Sequence, residues 1–301
     1  MYKQLIRPLL FQLPPETIHH LIMAAMRVLH YIPGGRLLLR MFYTTRHPSL
    51  VREVFGIRFP NPVGLAAGFD KDAEVYEEMA SLGFGFVEVG TITPLAQPGN
   101  PKPRLFRLPM DHALINRMGF NNQGVASAVH RLHRRNRFYH RRHPVVLGGN
   151  LGKNTLTPNE KAPADYLRLF RSLYEYVNYF VINVSCPNVA NLSCLQNKEH
   201  LKKLLEGLID FRRGQNHYRP ILLKISPDLS DEQIDEMIEV LVENGLDGIV
   251  ATNTTTSRQG LLTPSDLVAE IGNGGLSGGP LTERSLEMVR YIHKKTEGRF
   301  P

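Results

Sequence analysis

The chain has 301 residues, of which 42% are hydrophobic and 21% charged, so it can bury a large core and is neither fibrous nor disordered. Two cysteines, Cys186 and Cys194, are too few for a disulfide framework and lack the partners of a cysteine metal site. The net charge of +8 comes mainly from residues 1–60, which contain eight basic and two acidic residues.

The N-terminal segment is predicted to form amphipathic helices. Apolar residues recur at helical spacing from Glu16 to Ile32, a shorter apolar stretch runs from Leu5 to Phe11, and a Pro-Gly-Gly sequence ends the segment. No apolar run reaches the roughly 20 residues of a membrane span, and prolines interrupt the first stretch, so neither a span nor a signal peptide is expected. Two short basic helices can lie in a membrane interface or cap the next domain, and the segment alone favours neither.

After Asn61, short apolar runs alternate with amphipathic stretches of helix length, which is typical of βαβ units and a parallel sheet. We predict strands at 62–67, 85–90, 145–151, 179–184, 220–225 and 248–251. We predict helices at 73–82, 123–137, 164–177, 198–213, 230–244 and 282–295. Residues 93–122, rich in Pro and Gly, are predicted to form a lid or hairpin. The basic run 131–143 is interpreted as a solvated helix face, with anionic lipid as the alternative.

Each predicted strand ends in a polar or glycine-rich turn: AAGFDK, GTITP, GNLGKN, NVSCPN, KISPD and ATNTT. In a (β/α)₈ barrel the reactive residues lie at the carboxyl ends of the strands, because those loops converge on one opening. An open doubly wound sheet usually carries a G-x-G-x-x-G turn after its first strand, and AAGFDK does not fit that pattern. The pattern therefore favours one active site assembled from six strand ends of a barrel.

The residues in these turns favour an organic anion over a metal ion. The turns carry almost no carboxylates; they present amides or ammonium groups at Lys71, Asn150, Asn183, Lys224 and Asn253, with the hydroxyl of Thr254 beside the last. A metal would require grouped His, Asp, Glu or Cys, and the twelve histidines show no such spacing. The expected ligand is planar, anionic and rich in hydrogen-bonding groups.

Cys186 lies between two amides, directly after a predicted strand. Pro187 holds it in extended geometry, and a thiol there can act as a nucleophile or accept a proton if its pKa is close to the working pH. No His or Asp follows as a thiol protease requires. A buried structural cysteine is the alternative interpretation.

Eight motifs resemble the dihydroorotate dehydrogenases, in order and at compatible spacing along the chain. They are GLAAGFDKD, EVGTITPLAQPGNPKPRLFRL, INRMGFNNQG, NLGKN, NVSCPN, LLKISPDLS, ATNTT and GGLSGGPL. Any one of them alone is a weak signal, but eight in register are specific.

The resemblance implies FMN on a (β/α)₈ barrel and oxidation of dihydroorotate to orotate, a step of pyrimidine synthesis. Cys186 would be the catalytic base at ring carbon 5, and Lys71 would lie between flavin and substrate. The cofactor would contact Ala67, Gly68, Lys71, Thr91, Asn150, Asn183, Lys224, Thr252 and Gly278. The substrate would contact Lys71, Asn116, Arg117, Met118, Gly119, Phe120, Asn183, Asn188, Asn253 and Thr254.

The N-terminal helices resemble the class that is bound peripherally to the bacterial inner membrane, on its cytoplasmic side, and reduces quinone. That class normally has serine at the position of Cys186, whereas cysteine is usual in the soluble class, which uses fumarate or NAD. We expect quinone, because Ser and Cys both accept a proton and a helical extension is not acquired by one substitution. We therefore divide the chain into a membrane and quinone segment, residues 1–45, and an FMN-binding barrel, residues 46–301.

The chain stops where the family begins its seventh strand, so we expect a barrel truncated after about six βα units that holds FMN poorly. A flavin barrel that reduces uridine in transfer RNA is a rival, since such enzymes also combine FMN, a cysteine and basic surfaces. The four substrate amides argue against it, so no nucleic acid is expected. The second rival is an inactive remnant of the fold.

Overall fold

Three helices form the N-terminal part of the computed structural model, which describes residues 2–136, 145–188, 192, 195 and 198–301. After a helical stretch at Tyr2–Ile6 come α1 (Arg7–Phe11), α2 (Pro15–Tyr31) and α3 (Gly35–Tyr43). The first two match predicted elements, whereas α3 follows the Pro-Gly-Gly sequence that we interpreted as the end of the segment. Gly34 has a φ of +78°, a left-handed conformation that lets the chain reverse and a new helix begin.

A short antiparallel hairpin follows the helices and closes the amino-terminal end of the sheet. Its strands are β1 (Arg52–Val54) and β2 (Ile57–Phe59). Phe59 packs in a small core with Tyr179, Val181 and Leu222. Tyr179 is the first residue of its strand and Leu222 the second of its own, so the hairpin covers the end of the sheet opposite the predicted active site.

Six parallel strands form the central sheet, in agreement with the predicted α/β barrel class. In chain order the remaining elements are β3 (Gly64–Leu65), α4 (Tyr76–Ser81), β4 (Phe86–Ile92), β5 (Leu105–Leu108), β6 (Ala113–Asn116), α5 (Gly124–Asn136), β7 (Val146–Leu151), α6 (Ala162–Leu173), β8 (Tyr179–Asn183), α7 (Lys198–Arg213), β9 (Ile221–Ile225), α8 (Asp231–Glu243), β10 (Gly248–Ala251), α9 (Ser265–Ile271), β11 (Gly275–Gly278) and α10 (Thr282–Lys295). The sheet order is β3-β4-β7-β8-β9-β10, and every adjacent pair is parallel. This half-barrel confirms the six predicted strands.

A second sheet of three antiparallel strands lies beside the carboxyl ends of the parallel strands. Strands β5 and β6 form the hairpin predicted within residues 93–122, and β11 pairs with the other edge of β6. Leu108, Ala113, Ile115 and Leu276 form its core. Strand β11 was not predicted, because its glycine-rich sequence has no apolar alternation and its partner is distant in sequence.

Helix α4 begins three residues later than predicted because Asp70 binds the preceding turn. The Asp70 carboxylate accepts hydrogen bonds from the backbone N–H groups of Glu74 at 2.7 Å and Val75 at 2.8 Å. Ala73, which directly precedes Glu74, has a φ of +55°, and this value is incompatible with an α-helix. The chain therefore turns before it can enter α4.

Buried ion pairs attach the N-terminal helices to the barrel. Glu77 and Glu78 on α4 are almost fully buried, and they pair with Arg36 of α3, His30 of α2 and Arg135 of α5. Arg135 therefore faces inward, whereas His133 and Arg134 of the same run are exposed, as a solvated face requires. Residues 137–144 of that run lie outside the described residues. Within the described part of the chain, no helix is both long and apolar enough to cross a bilayer.

Candidate active site at the carboxyl ends of the parallel strands

Four polar side chains from different strands form a hydrogen-bonded row at one end of the sheet. Asn183 Nδ2 donates to Thr91 Oγ1 at 3.0 Å, and Thr91 Oγ1 donates to Asn150 Oδ1 at 2.6 Å. Asn253 Nδ2 donates to Asn183 Oδ1 at 3.3 Å. This polar row (Thr91, Asn150, Asn183, Asn253) joins β4, β7, β8 and the loop after β10, so four of the predicted site residues are neighbours.

Lys71 connects the loop after β3 with the loop after β6. Its Nζ donates to the carbonyl oxygen of Gly119 at 3.3 Å and to Asn121 Oδ1. Burial lowers the pKa of Lys71 to about 8, although the negative charge of an ionised Cys186 would raise it. Lys71 therefore remains mainly protonated at pH 7 and provides a cation inside the site.

The thiol of Cys186 is partly buried three residues beyond the end of β8. Burial raises the pKa of the Cys186 thiol, while the backbone N–H of Asn188 and the ammonium charges of Lys71 and Lys224 lower it. The net pKa lies above the ordinary value of a thiol. The charges of both lysines therefore favour the thiolate and partly offset the effect of burial.

The amides predicted to bind substrate surround the same opening. Asn188 Nδ2 donates to Asn116 Oδ1 at 3.3 Å, and the backbone N–H of Thr254 donates to Asn253 Oδ1 at 2.9 Å. Gly275 lies opposite Asn116 in the antiparallel sheet. A Cβ at Gly275 would be 2.0 Å from Thr254 Oγ1, so only glycine allows β11 to approach this closely.

The backbone of residues 118–120 is held by hydrogen bonds from neighbouring loops. The Met118 carbonyl accepts from the backbone N–H of Asn100 at 3.0 Å, and the Phe120 carbonyl accepts from Gln97 Nε2 at 2.9 Å. The Phe120 side chain is buried. Together with the bond from Lys71 to Gly119, these contacts give the predicted substrate loop a defined position.

The side chain of one predicted contact residue, Arg117, is directed elsewhere, and two others, Thr252 and Gly278, lie apart from the polar row. The Arg117 guanidinium bonds to the carbonyl oxygens of Pro103 and Ile271, so its side chain points away from the polar row. Thr252 Oγ1 lies 3.3 Å from Ser285 Oγ in α10. Gly278 pairs with Ala113, at the other end of β11 from Gly275. The backbone of Arg117 is linked to a predicted substrate residue through Asn100, whose Nδ2 donates to the carbonyl oxygens of both Arg117 at 2.8 Å and Asn188 at 3.3 Å.

Sequence reasoning missed Glu88, since it considered only the turns after the strands. Glu88 lies inside β4, is 6% exposed, and accepts a hydrogen bond from Asn150 Nδ2 at 2.8 Å. The available signal was one carboxylate within the apolar strand sequence FVEVG. Asn121 and Ser185 were also missed; they contact Lys71 and the polar row, respectively.

The residues present fit the flavin that the family resemblance implies. Gly68 has a φ of +109°, and nothing lies within 4 Å of the place where its Cβ would be, so the loop after β3 leaves open space. Lys71 and Lys224 supply positive charge that acts on the Cys186 thiol. Open backbone, amides and two ammonium groups suit a planar, electron-accepting ring better than a bare metal ion.

Away from this pocket, one group of described side chains has its ligand atoms close enough for a metal ion. It consists of His30, Glu77 and Glu78, which attach the N-terminal helices to α4. Arg36 and Arg135 already neutralise these carboxylates, so the positive charge of a metal ion would be repelled there. The expectation that the enzyme uses no metal stays a prediction.

Comparisons with known proteins agree with the site's chemistry. The family model described as dihydroorotate dehydrogenase matches residues 49–301. A protein of Christiangramia forsetii named dihydroorotate dehydrogenase (quinone) is 52% identical over 301 residues, which is 100% of this chain and 85% of that protein. A protein of Rhodococcus opacus with the same name is 48% identical and is covered to 81%.

Solved structures give the same result. The ligand-free DHODH of Eimeria tenella superposes with a TM-score of 0.84 at 36% identity, covering 95% of this chain and 80% of that one. The complex of this enzyme with ferulenol gives a TM-score of 0.82 at 34% identity, covering 97% and 81%. The family model and the relatives that align with the whole of this chain show that it belongs to the dihydroorotate dehydrogenase family.

Proposed function

We propose that the chain oxidises dihydroorotate to orotate with FMN as hydride acceptor and passes the electrons to a quinone, in de novo pyrimidine (UMP) synthesis. The relatives named dihydroorotate dehydrogenase (quinone) support this reaction, since they align with the whole chain, including the helices before residue 49. The structural observation that carries the proposal is the polar row at the strand ends, with Lys71 in the loop after β3 and Cys186 in the loop after β8.

The substrate is held by amides and oriented by a cation. Amide side chains offer both donors and acceptors to a pyrimidine ring, and the Lys71 ammonium attracts its carboxylate. The ring would contact Asn116, Asn183, Asn188, Asn253 and Thr254, with Gly119, Phe120 and the backbones of Arg117 and Met118 around them. Cys186, as thiolate, takes the proton from ring carbon 5 while carbon 6 loses its hydride.

The cofactor residues lie on the loop after β3 and on the strand ends. FMN, when bound, supplies the hydride acceptor. It would contact Ala67, Gly68, Lys71, Thr91, Asn150, Asn183, Lys224, Thr252 and Gly278. Among these, the ammonium groups of Lys71 and Lys224 stabilise negative charge that develops near them.

Helix α2 brings His19 to the edge of this cofactor loop. The His19 ring lies edge-on to Phe69 at 4.9 Å between centroids, and Phe69 directly follows Gly68. Burial lowers the pKa of His19, and the charges of His20 and Lys71 lower it further, so the imidazole is neutral at pH 7. We infer that quinone enters between α2 and this loop, close enough to receive electrons.

The acceptor is tested by steady-state oxidation of dihydroorotate with quinone, fumarate and NAD offered separately. We expect turnover with quinone alone. His19→Ala should slow quinone-dependent turnover but leave the first reduction of bound flavin by dihydroorotate unchanged, as measured by stopped-flow absorbance. Turnover with fumarate and none with quinone would contradict the quinone class.

The outer face of α3 supports peripheral membrane contact. Met41 and Phe42 are 73% and 75% exposed, and Leu37 and Leu38 beside them are also exposed. Monomeric soluble proteins rarely expose large apolar patches that have no partner. We therefore assign residues 1–45 to membrane and quinone contact at the cytoplasmic side of the inner membrane, and residues 46–301 to the FMN-binding barrel.

Replacing Met41 and Phe42 together with Asp is expected to weaken binding to vesicles of anionic phospholipid by about tenfold or more, because two apolar side chains lose their burial in lipid. Vesicle sedimentation measures the effect. Leu156→Asp is the matched control, since Leu156 is 95% exposed but lies in the loop after β7. Equal vesicle binding by the double variant and the wild type would count against membrane contact through α3.

A further inference from the structure

Glu88 lies beneath the polar row and interacts with three candidate cofactor residues. Its Oε1 accepts the hydrogen bond from Asn150 Nδ2 at 2.8 Å. The backbone N–H of Ala67 donates to the same carboxyl group, and the charge of Lys224 acts on it. These partners belong to the loop after β3, to β7 and to β9, so one buried side chain connects three parts of the site.

A bulge in β4 allows Glu88 and Thr91 to face the same partner. Strict alternation along a strand would direct residues 88 and 91 to opposite faces of the sheet. The pairing of β4 with β7 shifts register between Val89 and Ile92, which changes the alternation. Glu88 and Thr91 consequently both bind Asn150, one at its nitrogen and one at its oxygen.

The carboxyl group of Glu88 sets the direction of the hydrogen bonds in the polar row. Burial raises the pKa of the Glu88 carboxyl, although the charge of Lys224 and the hydrogen bonds from Asn150 and Ala67 oppose that rise, and its Oε1 accepts the bond from Asn150 Nδ2. Asn150 must therefore turn its NH₂ toward Glu88 and its oxygen toward Thr91 and Asn183. Asn183 then presents its own oxygen to Asn253.

We propose that Glu88 is a positioning residue of the flavin site, which orients the amides of Asn150 and Asn183 and balances the positive charge of Lys224. The proposal rests on the proposed function, because its consequences concern bound FMN and orotate. Above its raised pKa Glu88 is ionised and opposes the charge of Lys224; the neutral Gln variant leaves that charge unopposed there, which favours the electron-rich state of the cofactor. The amide of Asn150 also loses the partner that determines its direction.

The test uses Glu88→Gln, which keeps the size of the side chain but removes its charge. In the flavin-loaded protein we expect a more positive flavin midpoint potential, measured by equilibration with redox dyes. We also expect the Kd of orotate to rise by about tenfold, measured from the flavin absorbance change, because one directed hydrogen bond is lost. Glu53→Gln, the same change at an exposed residue of β1, should leave both values unchanged.

A second variant separates the charge of Glu88 from its hydrogen bond. Glu88→Asp keeps the charge on a shorter side chain, so the potential should stay near the wild-type value while orotate binds more weakly. A general loss of structure would change both the flavin potential and the Kd of orotate. If the Gln variant does not load flavin, the Asp variant alone tests the proposal. A Gln variant with wild-type potential and Kd, or an Asp variant with wild-type Kd, would overturn the proposal. A wild-type protein that binds flavin but does not oxidise dihydroorotate would contradict the proposed function instead.

Discussion

Replacing Cys186 with Ala is expected to lower dihydroorotate turnover at pH 7 by about 10²–10⁴-fold, the usual contribution of a general base. The thiolate of Cys186 can take the proton, whereas the Lys71 ammonium cannot; because burial raises the pKa of the thiol, the thiolate is the minor form at pH 7. Bound flavin should be unchanged, because no predicted cofactor contact involves the Cys186 side chain. Steady-state turnover and the flavin content of the purified variant measure the two quantities.

Two further variants distinguish loss of the base from a general effect of removing a cysteine. Cys194→Ala makes the same chemical change at the only other cysteine, which lies outside the described residues and is not a predicted site residue, and should turn over normally. Cys186→Ser keeps a proton acceptor and should retain more activity than Cys186→Ala. Near-normal turnover of Cys186→Ala with flavin bound would remove its role as base.

The pH dependence of kcat/KM follows from the two pKa shifts in the pocket. Burial raises the pKa of Cys186, and a protonated thiol cannot accept a proton, so activity requires its ionisation. The pKa of Lys71 is lowered to about 8, so its ammonium is lost as the pH rises above that value. The active form therefore carries one proton, on Lys71 rather than on Cys186. Because the two groups interact, their protons are lost in two steps that belong to the pair. We expect kcat/KM to rise through about pH 8, where the pair loses its first proton, and to fall only at higher pH, where the second proton is lost.

Replacing Lys71 with Met is expected to lower kcat/KM by about 10²–10³-fold, comparable to the loss of one preorganised charge-stabilising donor. The side chain provides the cation beside Cys186 and donates to Gly119 and Asn121. Without that cation the pKa of Cys186 should rise further, and the falling limb of the pH profile should disappear. Measurement of kcat/KM across the alkaline range tests both effects.

Lys153→Met is the matched control for Lys71. Lys153 is also buried, and its ammonium donates to the carbonyl of Thr157 at 2.8 Å, but it is not a predicted contact of substrate or cofactor. This variant should lose stability, since a loop carbonyl loses its donor, yet keep the pH profile of the wild type. A Lys71→Met enzyme with wild-type kcat/KM would contradict the assignment of Lys71 to the active site.

Local periodicity was sufficient to predict most of the helices and strands. The bounds of α7 (198–213) and α10 (282–295) agree with the predicted ranges, because each carries a continuous apolar stripe at helical spacing. The parallel strands are short apolar runs between turn residues, and they too lie close to their predicted positions. Strand β3 is shorter than predicted, with only Gly64–Leu65 paired to β4.

Elements that depend on distant partners were not predictable in this way. Strand β11 exists because it pairs with β6, about 160 residues earlier in the chain, and its own sequence has no strand pattern. Helix α3 is held against the barrel by the ion pair of Arg36 with Glu77. In both cases the stabilising contact comes from another part of the fold, so a local window contains no signal for it.

The sequence alone was enough to determine the order of the βα units, the family and the set of residues at the strand ends that includes Cys186, because these depend on local pattern and on motifs in register. Only the tertiary structure decided which way the side chains point. Arg117 turns toward the carbonyls of Pro103 and Ile271, whereas Glu88 turns inward beneath Asn150. The physical reason is that side-chain direction depends on a bulge and on carbonyl and amide partners from distant segments, which are brought together only when the chain folds.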